Sequence, residues 1–406
     1  MLLWLCVLFA LGACERPSEA APGLGVTGAA SGLRLQSVLG AEGDTAGFRR
    51  ATAQVAIAFP KDHGPHPGFR SEWWYLTLML EDASGAAYGG QFTLFRQALA
   101  PPDAEPAPQA SIESTADGNP WRATQTYLAH LAVTDVAAAD HRFAERWARG
   151  LPQLAGASAE PFAVWLEDWR LASIGPEFLP LQLSAAAPDF GWSLTLDSVR
   201  PLVLQGERGY SAKGPGQGSH YYSATRLDVQ GTVTIDGRVV PVHGGGWLDR
   251  EWSTSVLSAD QVGWDWFALQ LDDGRDLMMF NLRRADCSRD AFDHGVLVSA
   301  DGSYRTLRAT DYALRPLSVW RGPGNDTLQP AVDRCAQLPT AAPRTPAGWP
   351  LEWSVRVGEE RFVVRAAVRD QRMQTAVPYW EGLVDVYREG AAEDPVGRGY
   401  MELTGY

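Results

Sequence analysis

Two stretches of this sequence share one pattern, and that pattern constrains the fold more than any other feature. Residues 69–96 contain a run with apolar side chains at alternate positions, an acidic turn and a second run, which predicts a β-hairpin. Residues 263–284 repeat the aromatic opening, the alternation and the acidic turn. Aligning Leu78 with Leu269 keeps both faces of the first strand in phase. We therefore interpret the chain as an internal duplication.

The same alignment extends to the closing strands and to one chemically interesting difference. A Phe-x-Leu-x-Arg sequence ends each hairpin, at residues 92–96 and at residues 280–284. The second copy carries Asp265 where the first carries Trp74. An acid on an otherwise apolar strand face is a candidate for catalysis, although it more often forms an ion pair at a barrel end.

The rest of the chain after Phe48 is β in character. Short alternating runs recur, separated by clusters of Gly, Pro, Asp and Asn, which favours barrels or sandwiches. A length of 406 residues indicates about two domains. We predict an all-β fold with domains at residues 46–252 and 253–406, and short helices only at 140–149 and 325–338.

Composition and missing motifs exclude several functions. The net charge is −13 with no basic stripe, which argues against nucleic acid as a partner. No Gly-rich phosphate loop follows a strand, and residues 209–213 fail the pattern of a serine nucleophile elbow at the last position.

The first residues have the pattern of an export signal. Residues 1–14 form an apolar run too short to cross a bilayer, ending in Leu11-Gly12-Ala13-Cys14, which is typical of a lipoprotein signal with acylation at Cys14. A plain signal peptide cleaved slightly later is the alternative. Residues 15–45 predict a flexible linker. With Glu15 next, we expect a lipid anchor at the periplasmic face of an outer membrane, if the source is Gram-negative.

Cysteine and histidine positions leave further alternatives open. In an oxidising envelope we predict that Cys287 and Cys335 pair as a disulfide, with two unpaired cysteines as the alternative. His63 and His66 with Asp62 resemble a fragment of a metal site, but no third His or Glu accompanies them. We therefore predict no metal and interpret this segment as a loop over a barrel mouth.

Several motifs, in order, resemble one family. They are His66-Pro67-x-Phe69-Arg70-Ser71-Glu72-Trp73-Trp74-Tyr75, residues 219–227, residues 244–252, residues 263–267, Tyr379-Trp380-Glu381-Gly382 and residues 399–406. Over residues 55–406 the chain is similar to the carotenoid 1,2-hydratase (hydroxyneurosporene synthase) family of lipocalin-like proteins, which also includes proteins labelled predicted secreted hydrolases. The resemblance implies two tandem lipocalin-like β-barrels, in agreement with the duplication.

Hydration of an isolated alkene defines what such a site needs. A carboxylic acid kept protonated by an apolar pocket protonates carbon, and aromatic faces stabilise the cation. This chemistry requires no cofactor. We predict Asp265 as the acid, with Asp249, Glu251 and Tyr222 as further catalytic candidates. The predicted ligand-binding residues are Glu72, Trp74, Tyr221, Trp247, Trp252, Trp264 and Trp266.

Structural roles compete with each of these assignments. Glu72 has arginines available as ion-pair partners, and tryptophans on strands more often fill a core. The family hydratases read Asp-His-Glu-Trp where this chain has Asp249-Arg250-Glu251-Trp252, and Arg250 cannot shuttle protons near neutral pH. Two functions follow. The first is binding of a lipid or isoprenoid, as an accessory to an ABC-type envelope transporter. The alternative is a hydratase, and the sequence slightly favours binding.

Overall fold

A computed structural model describes residues 45–102, 123–255, 257–286, 288–324, 327–331, 348–391 and 394–406. The predicted lipidation site Cys14, nearly all of the linker 15–45 and the two candidate disulfide cysteines Cys287 and Cys335 lie outside this range. None of the helical segments within it has the length and apolar character needed to cross a bilayer.

The first half of the chain forms a 13-stranded antiparallel sheet that curls into a nearly closed barrel. Along the sheet the order is β4-β3-β2-β1-β13-β12-β9-β8-β7-β6-β5, and β10 and β11 pair with β12. The strands are β1 Ser71–Glu81, β2 Ala87–Ala98, β3 Gln125–Asp135, β4 Asp140–Arg149, β5 Ala155–Ala159, β6 Phe162–Leu166, β7 Trp169–Ser173, β8 Leu181–Ala186, β9 Phe190–Asp197, β10 Val203–Leu204, β11 Tyr210–Gly214, β12 Gln217–Ile235 and β13 Arg238–Ser253.

The second half forms an 11-stranded antiparallel sheet in the order β17-β16-β15-β14-β24-β23-β21-β20-β18-β19, with β22 paired to β23. The strands are β14 Gln261–Leu271, β15 Asp276–Arg284, β16 His294–Val298, β17 Tyr304–Arg308, β18 Tyr312–Trp320, β19 Gln329–Pro330, β20 Trp349–Val357, β21 Glu360–Ala366, β22 Arg372–Met373, β23 Tyr379–Arg388 and β24 Gly397–Thr404. The all-β architecture of two lipocalin-like domains is therefore confirmed.

Alternation along the first strand of each sheet builds two separate cores. Leu76, Leu78 and Leu80 pack inside the first sheet, and Leu269 and Leu271 pack inside the second, all almost fully buried. Successive side chains on a strand point to opposite faces of the sheet. Because the apolar residues recur at every second position, they all lie on the face that packs against the core. The predicted phase of β1 against β14 matches this arrangement.

The predicted match of the closing strands is wrong by one residue. Phe92 lies opposite Leu76 and inside the first core, whereas Phe280 lies opposite Trp266 on the outer face of β15. The structural counterpart of Phe92 is Met279, which lies opposite Phe267. A slip of one residue moves a side chain to the other face of a sheet, and similar residues on both faces of β15 conceal the slip in the sequence.

The two sheets pack against each other through the outer faces of β1, β14 and β24. Met79, Ala268 and Tyr400 belong to one buried cluster on this surface. Glycines allow the close approach. A Cβ added to Gly89 would lie 3.0 Å from Leu383 Cβ, and one added to Gly245 would lie 2.5 Å from Gln270 Oε1. Small residues at these positions therefore let the two β-layers come into direct contact.

A buried carboxylate also ties the two sheets together. Asp276 at the start of β15 is fully buried and accepts hydrogen bonds from Arg200 Nη1 at 2.9 Å and from Arg226 Nη2 at 2.6 Å. Thr225 Oγ1 donates a third, at 2.9 Å. Ionic groups removed from water need such multiple partners, so this cluster fixes the relative position of the two sheets.

The predicted helix at 140–149 is wrong, because this segment is strand β4. It pairs along its whole length with β3, through a turn in which Ala139 has φ of 51°. Small Ala144 and Ala148 pack toward the first core, and Phe143 and Trp147 lie on the other face. The segment alternates with a period of two, and its helix-favouring Ala, Glu and Arg residues conceal that alternation.

Candidate active site

A cavity of about 510 Å³ lies between the two sheets, outside both barrel cores. Strands β1, β2 and β3 of the first sheet and β14, β15, β23 and β24 of the second contribute to its walls. Most of its surface is aromatic or aliphatic, and six of the lining residues are Trp73, Tyr75, Phe95, Trp264, Trp266 and Phe280. Its size and lining are those of a site for a hydrophobic small molecule.

Two glutamates face each other across neighbouring strands in this cavity. Glu381 of β23 lies directly opposite Glu402 of β24, and both line the cavity. Glu381 is 1% exposed, and neither of its carboxyl oxygens has a hydrogen-bond partner of normal geometry among the described residues. Burial, followed by repulsion from Glu402, raises the pKa of Glu381 well above its ordinary value.

The same buried environment also raises the pKa of Glu402. Burial raises its pKa to about 8, the Trp264 indole opposes the shift, and Asp249 and Glu251 add to it. Two carboxylates held in an apolar site cannot both ionise at low cost, so at neutral pH the pair retains at least one proton. The arrangement is that of a general acid poised near physiological pH.

Asp249 of β13 is a third acid on the cavity wall. It accepts hydrogen bonds from the Tyr221 and Ser223 hydroxyls and from Trp247 Nε1, the last at 2.6 Å. Burial raises the pKa of Asp249 to about 7 against these three donors. Because the donors occupy both oxygens, Asp249 orients Tyr221 and Trp247 rather than facing the cavity unpartnered.

Lys213 lies beside Glu251, which is a fourth acid on the cavity wall. Lys213, on the bulged strand β11, places Nζ 3.3 Å from Glu251 Oε1 and 4.0 Å from the centre of the Phe280 ring. The Ser219 hydroxyl donates to the same Glu251 oxygen. Lys213 therefore brings a basic side chain into direct contact with one of the acids on the cavity wall.

The structure brings only part of the predicted site together. Residues from the prediction that line the cavity are Glu72, Tyr221, Asp249, Glu251, Trp264 and Trp266. Residues from it that do not line the cavity are Trp74, Tyr222, Trp247, Trp252 and Asp265. Strand parity explains part of this division, since neighbouring positions such as Tyr221 and Tyr222 face opposite sides of the sheet. Trp247 shares the parity of Asp249 and Glu251 on β13, but it packs in a buried cluster and does not line the cavity.

Asp265, the predicted acid, forms contacts with Arg283 and Tyr406 that have a structural role. Its Oδ1 lies 3.2 Å from Arg283 Nε and accepts a hydrogen bond of 2.7 Å from the Tyr406 hydroxyl. Arg283 stacks on the Tyr406 ring at 3.9 Å. Burial raises the pKa of Asp265, and Arg283 opposes the shift. The side chain thus anchors Tyr406 to β14 and lies away from the cavity, which favours a structural role for Asp265 over that of the acid.

Glu72 forms a buried ion cluster at one end of the first barrel. Arg96 and Arg250 both donate to its carboxylate, and the backbone N–H of His66 donates at 2.9 Å. Although burial opposes ionisation, Arg250 and Arg96 hold the pKa of Glu72 well below its ordinary value. Arg250, at the position where the family hydratases carry His, therefore belongs to a structural ion cluster.

Three of the predicted aromatic residues pack around this cluster. Arg250 lies 3.9 Å over the Trp74 ring, and Trp252 stacks on His66 at 3.9 Å. The Tyr222 hydroxyl lies 2.7 Å from His63 Nδ1. The loop carrying these two histidines packs on the first sheet, where the Trp74 indole donates to the His63 carbonyl at 2.9 Å and the His63 ring stacks on Phe178. No group of three or more potential metal ligands was found among the described residues.

Sequence reasoning missed the acids that matter most to the cavity. Glu381 and Glu402 lie within two motifs that carry the family resemblance. The residues around them show no spacing that marks either glutamate as a catalytic acid. Their facing arrangement depends on the β23–β24 register. The available signal is an acid at an alternate position of an aromatic strand, which also occurs in Asp265.

These features define a two-domain, lipocalin-like protein with an acidic cavity between its barrels. The model of a protein family described as AttH-like matches residues 50–335 and 334–406. The chain belongs to the AttH-like family. The family resemblance expected from the sequence is confirmed at this level.

Solved structures agree with the fold. A protein described as an AttH, from Nitrosomonas europaea, is 31% identical, with 88% of this chain and 100% of that chain covered and a TM-score of 0.71. Kievitone hydratase from Nectria haematococca is 12% identical, with 88% and 95% covered and a TM-score of 0.60. CghA is 13% identical, with 86% and 93% covered and a TM-score of 0.50. No curated protein sequence matches the chain.

Proposed function

We propose that this protein is a cofactor-independent hydratase or hydro-lyase that adds water to a carbon–carbon double bond of a hydrophobic, isoprenoid-like substrate. The observation that carries the proposal is the facing pair of Glu381 and Glu402 in an apolar cavity. The protein also shares its fold with kievitone hydratase. This likeness supports hydratase chemistry over the binding function that the sequence favours.

The proton donor in this reaction is the glutamate pair. Glu402, partly exposed and with its pKa raised to about 8, carries its proton at neutral pH and donates it to the alkene carbon. The C=C π bond supplies the electron pair of the new C–H bond, which leaves a carbocation. Glu381, directly opposite, then shares the remaining negative charge of the pair.

Aromatic faces on the cavity wall stabilise the cation. Trp266 meets Tyr75 edge to face, with ring centres 5.3 Å apart, and both line the cavity with Trp264. The negative face of an aromatic ring attracts a cation by about 0.5–2 kcal/mol per ring. Water then attacks the carbocation and loses a proton, so the net reaction is addition of one water molecule.

An isotope experiment tests this proposal. Acyclic carotenoids and shorter acyclic terpenes are incubated with the protein in ¹⁸O-labelled water, and the products are analysed by mass spectrometry. We expect one labelled hydroxyl per product and a loss of about 10²–10⁴-fold in rate for Glu402→Gln. Glu177→Gln, an exposed site with the same change in charge, is the matched control and keeps the wild-type rate.

Binding without chemistry is the competing function. In that case a lipid or isoprenoid co-purifies in stoichiometric amount, no label enters any tested alkene, and Glu402→Gln leaves ligand binding unchanged. Lipid anchoring at Cys14, location at the periplasmic face of an outer membrane and association with an ABC-type transporter remain predictions from the sequence. Globomycin-sensitive processing and radiolabelled palmitate incorporation, with Cys14→Ser as control, test the anchor.

A further inference from the structure

A hydrogen-bonded chain of three side chains links the cavity to the partly exposed strand β4. His130 of β3 lies directly opposite Glu145 of β4, with His130 Nε2 3.0 Å from Glu145 Oε2. The other ring nitrogen, Nδ1, lies 2.7 Å from the hydroxyl of Tyr379 on β23. Tyr379 and His130 line the cavity, whereas the Glu145 side chain is 21% exposed. The chain therefore crosses from one sheet to the other.

The carboxylate fixes the tautomer of the histidine. The backbone N–H of Ala376 donates to the same Glu145 oxygen at 3.1 Å. Against partial burial, hydrogen bonds from His130, Trp147 and Ala376 lower the pKa of Glu145, so it is ionised at neutral pH. An ionised carboxylate only accepts hydrogen bonds, so Nε2 of His130 carries the hydrogen.

The second ring nitrogen of His130, Nδ1, must then accept a hydrogen bond. Burial lowers the pKa of His130, which keeps the ring neutral at pH 7 and leaves Nδ1 without a hydrogen. The Tyr379 hydroxyl therefore donates to Nδ1. Gln91 Nε2 donates to the Tyr379 oxygen at 3.0 Å, and the carboxyl of Glu381 lies within reach of the same hydroxyl on the cavity wall. This is the order of groups in a nucleophile–histidine–carboxylate triad, with tyrosine in the first position.

We propose that Tyr379 is the base of the hydration reaction and that His130 and Glu145 act through it as positioning residues. This inference rests on the proposed function and names the group that takes the proton from water. As the water oxygen bonds to the carbocation, one O–H bond of the water breaks and its proton passes to the Tyr379 oxygen. The Tyr379 hydroxyl proton passes simultaneously to His130 Nδ1, giving an imidazolium paired with Glu145.

Surrounding charges explain why the transfer is concerted. Burial and the carboxyls of Glu381 and Glu402 raise the pKa of Tyr379 well above its ordinary value, so a free tyrosinate is disfavoured. In the relay, Tyr379 receives one proton as it releases another and stays neutral. The relay then reverses. The Nδ1 proton returns to the Tyr379 oxygen as the Tyr379 hydroxyl proton passes to the ionised member of the neighbouring glutamate pair, which restores the Nε2 tautomer of His130 and the protonated pair.

Nitrogen NMR on the wild-type protein tests the relay without requiring turnover. The ¹⁵N signals of His130 are assigned by their loss in His130→Gln. We expect a neutral ring with hydrogen on Nε2 from about pH 6 to 8, and a shift of Nδ1 toward the free acceptor value in Tyr379→Phe. Hydrogen on Nδ1 of His130 in the wild type would overturn the relay, since Tyr379 would then accept from the ring.

Kinetics in labelled water supply the second test. Tyr379→Phe is expected to lower kcat by about 10²–10⁴-fold with ligand affinity retained, and Glu145→Gln to move the pH profile of kcat. Tyr127→Phe, a buried tyrosine of the first core outside the cavity wall, is the control. Unchanged kcat in Tyr379→Phe would overturn the role as base. Absence of turnover in the wild type would instead reject the proposed function, and the NMR result would then decide the relay by itself.

Discussion

Glu381 and Glu402 occupy directly opposite positions on the neighbouring strands β23 and β24, on the face that looks away from the second core. Like charges directly opposite each other destabilise a sheet. The protein keeps this pair in a cavity dominated by aromatic side chains, where burial favours the protonated form. A stability cost retained at a cavity wall is typical of a functional site.

The pH dependence of stability should report the Glu402 pKa. In the folded state its pKa is about 8, against 4.5 ordinarily, so the folded protein holds a proton that the unfolded chain releases above about pH 4.5. Stability from this group therefore falls as the pH rises from about 4.5 to about 8. Between about pH 4.5 and 8.5 the wild type should lose about 4 kcal/mol more free energy of unfolding than Glu402→Gln. Urea titrations at the two pH values measure it, and equal losses would contradict the raised pKa.

Removal of the Glu72 charge should be costly. Glu72→Gln leaves Arg96 and Arg250 buried without their anionic partner, and we expect a loss of about 3–5 kcal/mol in the free energy of unfolding. Asp236→Asn is the control, because the Asp236 side chain in its ion pair with Arg142 is 65% exposed, and an exposed ion pair contributes little to stability. Denaturant unfolding of both variants checks this, and similar losses would argue against the ion cluster.

Asp265→Asn separates an anchoring role from a catalytic one. We expect a loss of about 1–3 kcal/mol in stability, because the hydrogen bond to Tyr406 and the pairing with Arg283 weaken. Turnover and ligand affinity should remain within about threefold of wild type, as Asp265 lies off the cavity wall. A fall in kcat without a loss of stability would restore Asp265 as the acid.

Tryptophan fluorescence should locate the ligand between the barrels. All-trans-retinol, an isoprenoid that absorbs in the range of tryptophan emission, serves as the probe. Trp266→Phe removes a cavity indole and should reduce both the quenching and the affinity, by a factor of about 10 or less. Trp165→Phe, where the indole bonds the Pro152 carbonyl outside the cavity, should behave as wild type. Equal quenching in both variants would place the probe elsewhere.

The sequence predicts the fold well because its main signal is local. Alternation in β1 and β14 assigns Leu78 and Leu269 to separate cores, and the structure follows that assignment. Register between strands is not a local property. The one-residue error at Phe92 and Phe280 arises because similar residues lie on both faces of β15. The helix predicted for what is strand β4 arises because helix-favouring Ala, Glu and Arg residues conceal its alternation.

The site is harder to predict because it lies between the two sheets. Tyr379 meets His130 only after the sheets pack, although 249 positions separate them in sequence. Asp265 attracts attention in the sequence because it interrupts an apolar face, yet the acids on the cavity wall come from the opposite strand parity. Pairing across sheets depends on the whole fold, so no spacing rule in one strand identifies Glu381 or Glu402.

The most direct measurement is the protonation of the glutamate pair by infrared difference spectroscopy. Spectra of wild type, Glu381→Gln and Glu402→Gln are recorded from about pH 4 to 9, and the carbonyl stretch of a protonated carboxylic acid is followed. We expect a band that persists at pH 7, loses the contribution of Glu402 near pH 8 in the wild type and changes in both variants. If the band is already lost as the pH rises to about 5, as for ordinary glutamates, the result would contradict a general acid at this site.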